Sequence, residues 1–252
     1  MTASRIAIEL RAVSKAYGSA DCGPPVIDGL DLRVAAGDFV CLLGRSGSGK
    51  STLLNLVAGL DRPSSGEVQV HGAGPAMLFQ DHALFPWLNA GENVELALRL
   101  RGRAKVDRAA EVDRLLRLVR LEGMSGRRVH ELSGGMRQRV ALARALAQGS
   151  DILLMDEPFT ALDATTRSLL HAELIRIWTD QRLTVLFVTH DVHEAVGLGS
   201  RVVQLSSHPG RVAREWSVGL SYPRRSEDPA VRTLTLDITA RLQEEAGRHA
   251  RP

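Results

Sequence analysis

The chain has 252 residues, 44% hydrophobic, 24% charged and 4% aromatic, with a net charge of +3, the make-up of a globular protein of one large domain, or of one domain with a small appendage. No stretch approaches the ~20 consecutive apolar residues of a membrane span, and the start, Met1-Thr2-Ala3-Ser4-Arg5-Ile6-Ala7, lacks the apolar segment of a signal peptide. A cytosolic chain is therefore expected, and because Arg is interspersed with Asp and Glu instead of forming a basic stripe, no nucleic acid is expected as a partner.

The first third reads as β structure. Ile6, Ile8 and Leu10 alternate with polar residues, as do Leu30, Leu32 and Val34, the pattern of half-buried strands. The two cysteines, Cys22 and Cys41, are too few for a disulfide framework. Cys41 reads as a small buried hydrophobe inside Phe39-Val40-Cys41-Leu42-Leu43, an apolar run that fits a strand covered on both faces. The run ends at Gly44-Arg45-Ser46-Gly47-Ser48-Gly49-Lys50-Ser51, and a helix is expected to start near Lys50. Residues 89–126 are helical with few strand signals, a candidate separate lobe, with Val112, Leu115, Leu116 and Val119 on one helical face. Ser133-Gly134-Gly135 leads into a helix that includes 140–147, and the apolar run 152–155 follows. Leu170, Leu174, Ile177 and Trp178 mark another amphipathic helix, and 184–188 and the weaker 202–205 two more strands. Buried strands alternating with amphipathic helices imply an α/β fold around a sheet. From His208 onward the chain is less regular and reads as a peripheral tail with a helix at 231–245.

Three places carry chemistry. Segment 44–51 matches G-x-x-x-x-G-K-[ST]: a buried strand delivers the chain to a glycine-rich turn whose N–H groups point at phosphate oxygens, and the helix start adds positive potential. Lys50 supplies a compact cation to the β- and γ-phosphates and the Ser51 hydroxyl a ligand for Mg²⁺. Only Lys15, Lys50 and Lys105 are Lys among the 32 basic residues, and a loop that needs a point charge rather than a planar fork explains one at position 50. The bland alternative, a chance glycine-rich turn, does not account for the strand before it and the helix after it. The run 152–155 ends in Asp156-Glu157, which places two acids at the C-terminal end of a buried strand, where open α/β sheets bind ligands. Asp156 is expected to hold Mg²⁺ through a water, and Glu157 to act as general base on the water that attacks the γ-phosphate; alone, the pair would read as a surface turn. Ser133-Gly134-Gly135 at a helix start is a second anion-binding arrangement, against the plain reading of an N-cap.

With these motifs in this order, the chain from Ile6 to about Leu205 resembles the ATP-binding cassette family. The resemblance implies a P-loop NTPase of the ABC-ATPase fold: a RecA-like core sheet, an antiparallel β subdomain and a helical signature subdomain. It places the ATPase domain at 1–205, the helical subdomain at roughly 89–147 and a C-terminal peripheral extension at 206–252. It implies that ATP is held by Tyr17, stacked on adenine, by Gly44 to Ser51 and Thr52, by Gln80, and by Ser133, Gly134 and Gly135. Mg²⁺ would be held by Ser51, Gln80 and Asp156, with Glu157 and His190 catalytic and Ala161-Leu162-Asp163 matching the D-loop. Met136 stands where the family's signature usually has Gln. A head-to-tail homodimer with ATP between the phosphate loop of one subunit and the signature of the other is implied, together with membrane permease subunits at the inner face of the plasma membrane and, through them, a solute-binding protein.

The stretch from Phe79-Gln80-Asp81-His82 through Leu84-Phe85-Pro86-Trp87 is similar to the nitrate, sulfonate and taurine importers, and Gly44-Arg45-Ser46-Gly47 to their aliphatic-sulfonate branch. Phe85, His193 and the short segment 71–76 depart from the usual pattern. The expected role is the ATPase that energises import of an aliphatic sulfonate, with taurine or nitrate as alternatives. From another class, a stand-alone P-loop nucleotide kinase has no use for 132–136 or 161–163, and a non-transport regulatory ATPase stays open.

Overall fold

The computed structural model describes residues 5–18, 24–207 and 209–249; Cys22, His208 and the first four residues lie outside the described residues. Met1–His71 with Leu183–Pro252 form one unit, and Gly72–Arg182 another. The first unit begins with β1 (Ile6–Lys15), β2 (Ile27–Ala35), β3 (Phe39–Leu43), α1 (Lys50–Val57) and β4 (Ser65–Val70). The second holds β5 (Ala76–Leu78), α2 (Ala90–Leu100), α3 (Lys105–Leu118), α4 (Gly134–Ala147), β6 (Ile152–Asp156) and α5 (Ala164–Gln181). The chain then returns to the first unit as β7 (Thr184–Thr189), α6 (Val192–Leu198), β8 (Arg201–Leu205), β9 (Val212–Ser217) and α7 (Pro229–His249).

In the first unit β1 pairs antiparallel with β2 and β4. Leu10 and Val13 face Leu32 and Leu30 across the ladder, and Ile8 faces Val34; all six are buried, so the alternation in the sequence is one sheet face meeting the core. A bulge at Ala12, with φ 46°, shifts the register between Leu10 and Val13. Gly66 of β4 passes so near this bulge that a Cβ would collide with the Ala12 carbonyl, a close approach that requires glycine.

The unit's other sheet runs β7-β3-β8 in parallel register, with β9 antiparallel on β8. Every residue of β3 and β7 is buried, as a parallel sheet covered on both faces demands. The region expected as a peripheral tail contributes to this unit. β9 extends the sheet, and α7, longer at both ends than the 231–245 expected, packs on α6 and buries Val231 and Ile238. The intervening turn is fixed by Arg224, which donates to the carbonyls of Val196 at 2.7 Å and Val218 at 3.1 Å and lies over the Tyr222 ring at 4.0 Å. No break at residue 205 separates this segment, because β8 and β9 are adjacent strands of one sheet.

In the second unit β5 lies parallel to β6. A capping box starts α2: the Asn89 side chain accepts from the Glu92 N–H at 2.8 Å, and the Asn89 N–H donates to the Glu92 carboxylate at 2.7 Å. α2, α3 and α4 pack on one another over buried Val94, Leu98, Val112, Leu115, Leu116 and Val140. The helical lobe expected at 89–126 therefore contains two helices and packs on the helix that follows Ser133. Val119, placed on the helical face by its spacing, is buried but lies just past α3.

Candidate functional site

In the first unit β3 runs into loop 44–49, where Gly47 and Gly49 have φ of 81° and 85°, conformations that cost a residue with a Cβ about 1–2 kcal/mol. Gly49 is the N-cap of α1 and supplies no side-chain cap, which leaves the first N–H groups of the helix to a ligand. Lys50, 6% exposed, donates from Nζ to the carbonyls of Gly44 at 2.8 Å and Arg45 at 3.0 Å. Its ammonium is therefore held over the mouth of the loop by the loop's own backbone. Ser48 is buried, and its Oγ has no hydrogen-bond partner among the described residues, a defect expected where a loop is shaped for a polar ligand. Ser51 is exposed at the helix start, and Thr52 is half-buried. The loop is braced from behind: a Cβ on Gly210 would stand 2.5 Å from the Ser48 carbonyl, and Gly210 donates to the Val26 carbonyl at 2.9 Å.

Tyr17 is 56% exposed. Its hydroxyl donates to Asp61 at 3.0 Å, Lys15 Nζ donates to the same carboxylate at 2.6 Å, and Lys15 Nζ lies 4.8 Å from the centre of the Tyr17 ring. Lys15, then the Arg62 N–H, hold the Asp61 carboxyl below the usual carboxylate range. The sequence reading did not contain this clasp, whose partners are far apart in the chain. His190 is exposed directly after β7. The turn beneath it is tightly bonded: the Thr189 hydroxyl donates to Glu194 and accepts from the Asp191 N–H at 3.0 Å, and Asp191 caps α6 by accepting from the His193 N–H at 2.8 Å. His193 is exposed on α6.

In the second unit the register pairs Leu78 of β5 with Met155 of β6, so Gln80 and Glu157 leave the same end of two neighbouring parallel strands. Gln80 is exposed, while Asp156 and Glu157 are half-buried. Glu157 has φ 42°, strained for a residue with a Cβ, and its Oε2 accepts from the Thr160 hydroxyl at 3.4 Å. Ser133 is the N-cap of α4, with its Oγ accepting from the Met136 N–H at 3.2 Å. That bond uses an oxygen lone pair and leaves the hydroxyl proton to donate elsewhere, so capping and anion binding are compatible. Gly135 faces Thr166, whose methyl would stand 2.5 Å from a Cβ there, so this glycine also serves helix packing. Asp163 caps α5 by accepting from the Thr166 N–H at 2.9 Å, which holds its carboxyl below the usual range.

Sequence reasoning also missed how the segment after Gln80 is fastened to α4. His82 Nδ1 lies 2.5 Å from Gln138 Oε1, and Arg144 donates to the carbonyls of Ala83 at 2.6 Å and His82 at 3.1 Å. Beside this segment is an open groove of about 570 Å³ whose lining includes Phe79, Phe85, Leu100, Arg101 and Arg144. Phe79 and Leu100 are exposed apolar side chains. Buried Gln138 is invisible to apolar periodicity because it is polar.

The sequence profile described as ABC transporter matches residues 27–160. The chain is 46% identical to the taurine import ATP-binding protein TauB of Mesorhizobium japonicum over 84% of this chain and 85% of that one. It is 46% identical to the nitrate import ATP-binding protein NrtD of a Synechocystis species over 82% and 80%. With the aliphatic sulfonates import ATP-binding protein SsuB of Bacillus thuringiensis it shares 38% identity over 94% and 96%. Among solved structures, the dimeric ATP-binding cassette MJ0796 bound to ADP and Pi superposes with a TM-score of 0.74 at 32% identity, covering 85% of this chain and all of that one.

Proposed function

The chain belongs to the ABC transporter family, and from that premise we propose that it is the subunit that hydrolyses ATP to drive a solute importer. The observation that carries this reading is loop 44–49 with α1: an uncapped helix start, a buried Lys50 and an unsatisfied Ser48 hydroxyl converge on a space that suits a triphosphate. Tyr17 stacks on adenine, and Lys50 with the N–H groups of 44–52 binds the phosphates. Ser51, Gln80 and Asp156 are the residues that would hold Mg²⁺, which when bound neutralises developing phosphate charge. No group of three or more His, Cys, Asp and Glu side chains gathers among the described residues, and Mg²⁺ is commonly bound by few side chains plus phosphate oxygens. Glu157 takes the proton from the attacking water, and His190 contacts the γ-phosphate.

Two copies associate head to tail, so that Ser133, Gly134 and Gly135 of one meet the γ-phosphate on the loop of the other; that the solved relatives are dimeric supports the pairing of two copies. Among the described residues no helix is long and apolar enough to cross a membrane, and the membrane partner in this reading is a separate permease at the cytoplasmic face. The groove between Phe79 and Leu100, apolar with Arg101 and Arg144 beside it, suits a helix of that permease. The solute in this reading is an aliphatic sulfonate, with taurine or nitrate the alternatives; the relatives above are named one each for taurine, nitrate and aliphatic sulfonates. Glu157→Gln should bind ATP without cleaving it and accumulate as a dimer in light scattering, while adding Ser133→Arg should return it to an ATP-bound monomer. An ATP-bound Glu157→Gln protein that stays monomeric even with its permease would refute the sandwich.

A further inference from the structure

Glu173 lies deep in α5 with its side chain 1% exposed. It faces Arg139 of α4 at 3.3 Å and Arg120, just past the end of α3, at 3.9 Å. Neither carboxylate oxygen has a hydrogen-bond partner among the described residues, and burial pushes the carboxyl above the usual range while the guanidiniums of Arg139, Arg120 and Arg176 pull it back. A charge buried on these terms is poor value for stability, since an apolar replacement of such a pair is often neutral or better. Its place among three helices asks for another account.

The surroundings supply one. At their starts α4 and α5 touch where Gly135 meets Thr166 and Gly134 meets Leu162. Arg137 Nη1 donates back to the Leu132 carbonyl at 2.6 Å, and Arg167 Nη2 to the Leu162 carbonyl at 2.9 Å, which fixes the approach to each helix in the same manner. Arg139 is one turn beyond Gly135 and Glu173 two turns beyond Thr166, so the ion pair is a second point of attachment along the same two faces. Arg176 ties in the end of α3 by donating to the Leu118 carbonyl at 2.5 Å. We propose that Glu173 is a positioning residue for ATP hydrolysis: by holding Arg139 and Arg120 it locks α4 to α5 and so fixes Ser133, at the start of α4, in place for the γ-phosphate. Apolar contacts alone let helices slide, whereas a buried charge that must face its counter-charges favours one register.

The inference rests on Ser133 acting on the γ-phosphate. The test uses the chain assembled with its permease and measures steady-state ATP hydrolysis. Glu173→Gln keeps the side chain's shape and removes its charge; kcat should fall at least about fivefold while KM stays within about twofold, the signature of an interaction outside ground-state binding. Glu173→Gln leaves the Arg139 guanidinium, 18% exposed, without its counter-charge and should lower the melting temperature, so kcat is compared at a temperature well below both midpoints. In a Ser133→Ala background Glu173→Gln should have no further effect on kcat. The pair Glu173→Met with Arg139→Met, apolar and of similar volume, covers the case in which Glu173→Gln does not fold, and should show the same low kcat in a well-folded protein. Wild-type kcat in Glu173→Gln or in the Met pair overturns the proposal, as does a loss that adds to that of Ser133→Ala or merely follows the melting temperature. If Ser133→Ala alone leaves kcat unchanged, the role of Ser133 itself is refuted and this proposal falls with it; an additive loss refutes this proposal only.

Discussion

In the proposed reading, removing the Tyr17 ring separates recognition of the base from recognition of the phosphates. The ring is 56% exposed, oriented at one end by its hydroxyl on Asp61 and approached by Lys15 Nζ at 4.8 Å, so a planar base has the remaining face to stack on. Stacking on an aromatic side chain is worth about 1–3 kcal/mol per base, which is about 5- to 150-fold in Kd. Tyr17→Ala should weaken ATP and ADP by equal factors in that range and leave inorganic triphosphate unchanged, because the proposal assigns the phosphate contacts to Lys50 and loop 44–49. Tyr17→Phe keeps the ring and gives up one exposed hydrogen bond, so its loss should stay under about fivefold. Titration calorimetry with the three ligands checks all of this. An unchanged Kd for ATP in Tyr17→Ala would make the ring structural only, and an equal loss for triphosphate would mean that the substitution had deformed the loop.

The backbone strain at Glu157, φ 42°, makes Glu157→Gly stabilising by about 1 kcal/mol while hydrolysis is lost; a urea midpoint lower than that of the wild type would argue against strain at this position. For Asp163 the sign follows from its lowered carboxyl pKa, caused first by the Thr166 N–H: the cap contributes stability above the ordinary carboxylate pKa and loses it as pH falls through the depressed folded value. The melting-temperature gap between wild type and Asp163→Ala should therefore close on acidification, and a gap independent of pH would show that the cap is not made by the ionised acid.

Legibility in the sequence followed the physics of burial. β3, β6 and β7 were readable because both of their faces are covered, which writes them as unbroken apolar runs, and each run ends at residues proposed to carry chemistry. β4 was missed because Ser65-Gly66-Glu67 open it with exposed residues, and β5 because three residues are too few for a period. β9 carries three consecutive exposed residues, Ala213, Arg214 and Glu215, at a sheet edge, and nothing in that pattern demands a strand until β8 is beside it. The phosphate loop, Asp156-Glu157 and Ser133 could be named because each is local in sequence. The Lys15–Asp61–Tyr17 clasp, the His82–Gln138 contact and the Arg139–Glu173 pair join residues far apart in the chain, and no spacing rule encodes them. Helical periodicity even misdirects at Glu173, a charged residue on the buried side of its helix.

β9 also determines where this chain can be cut or extended. Val202, Val203 and Leu205 of β8 are buried, and β9 occupies their open backbone with a strand whose own outer residues are polar. A fragment ended at residue 205 would leave an apolar strand with unpaired N–H and C=O groups, a template for strand addition by another molecule. It would also discard Gly210, the brace behind the phosphate loop. Fusion tags and truncations placed past α7 leave both intact, so β9 and the segment that leads to it function as the terminator of the sheet and belong in any minimal version of the protein.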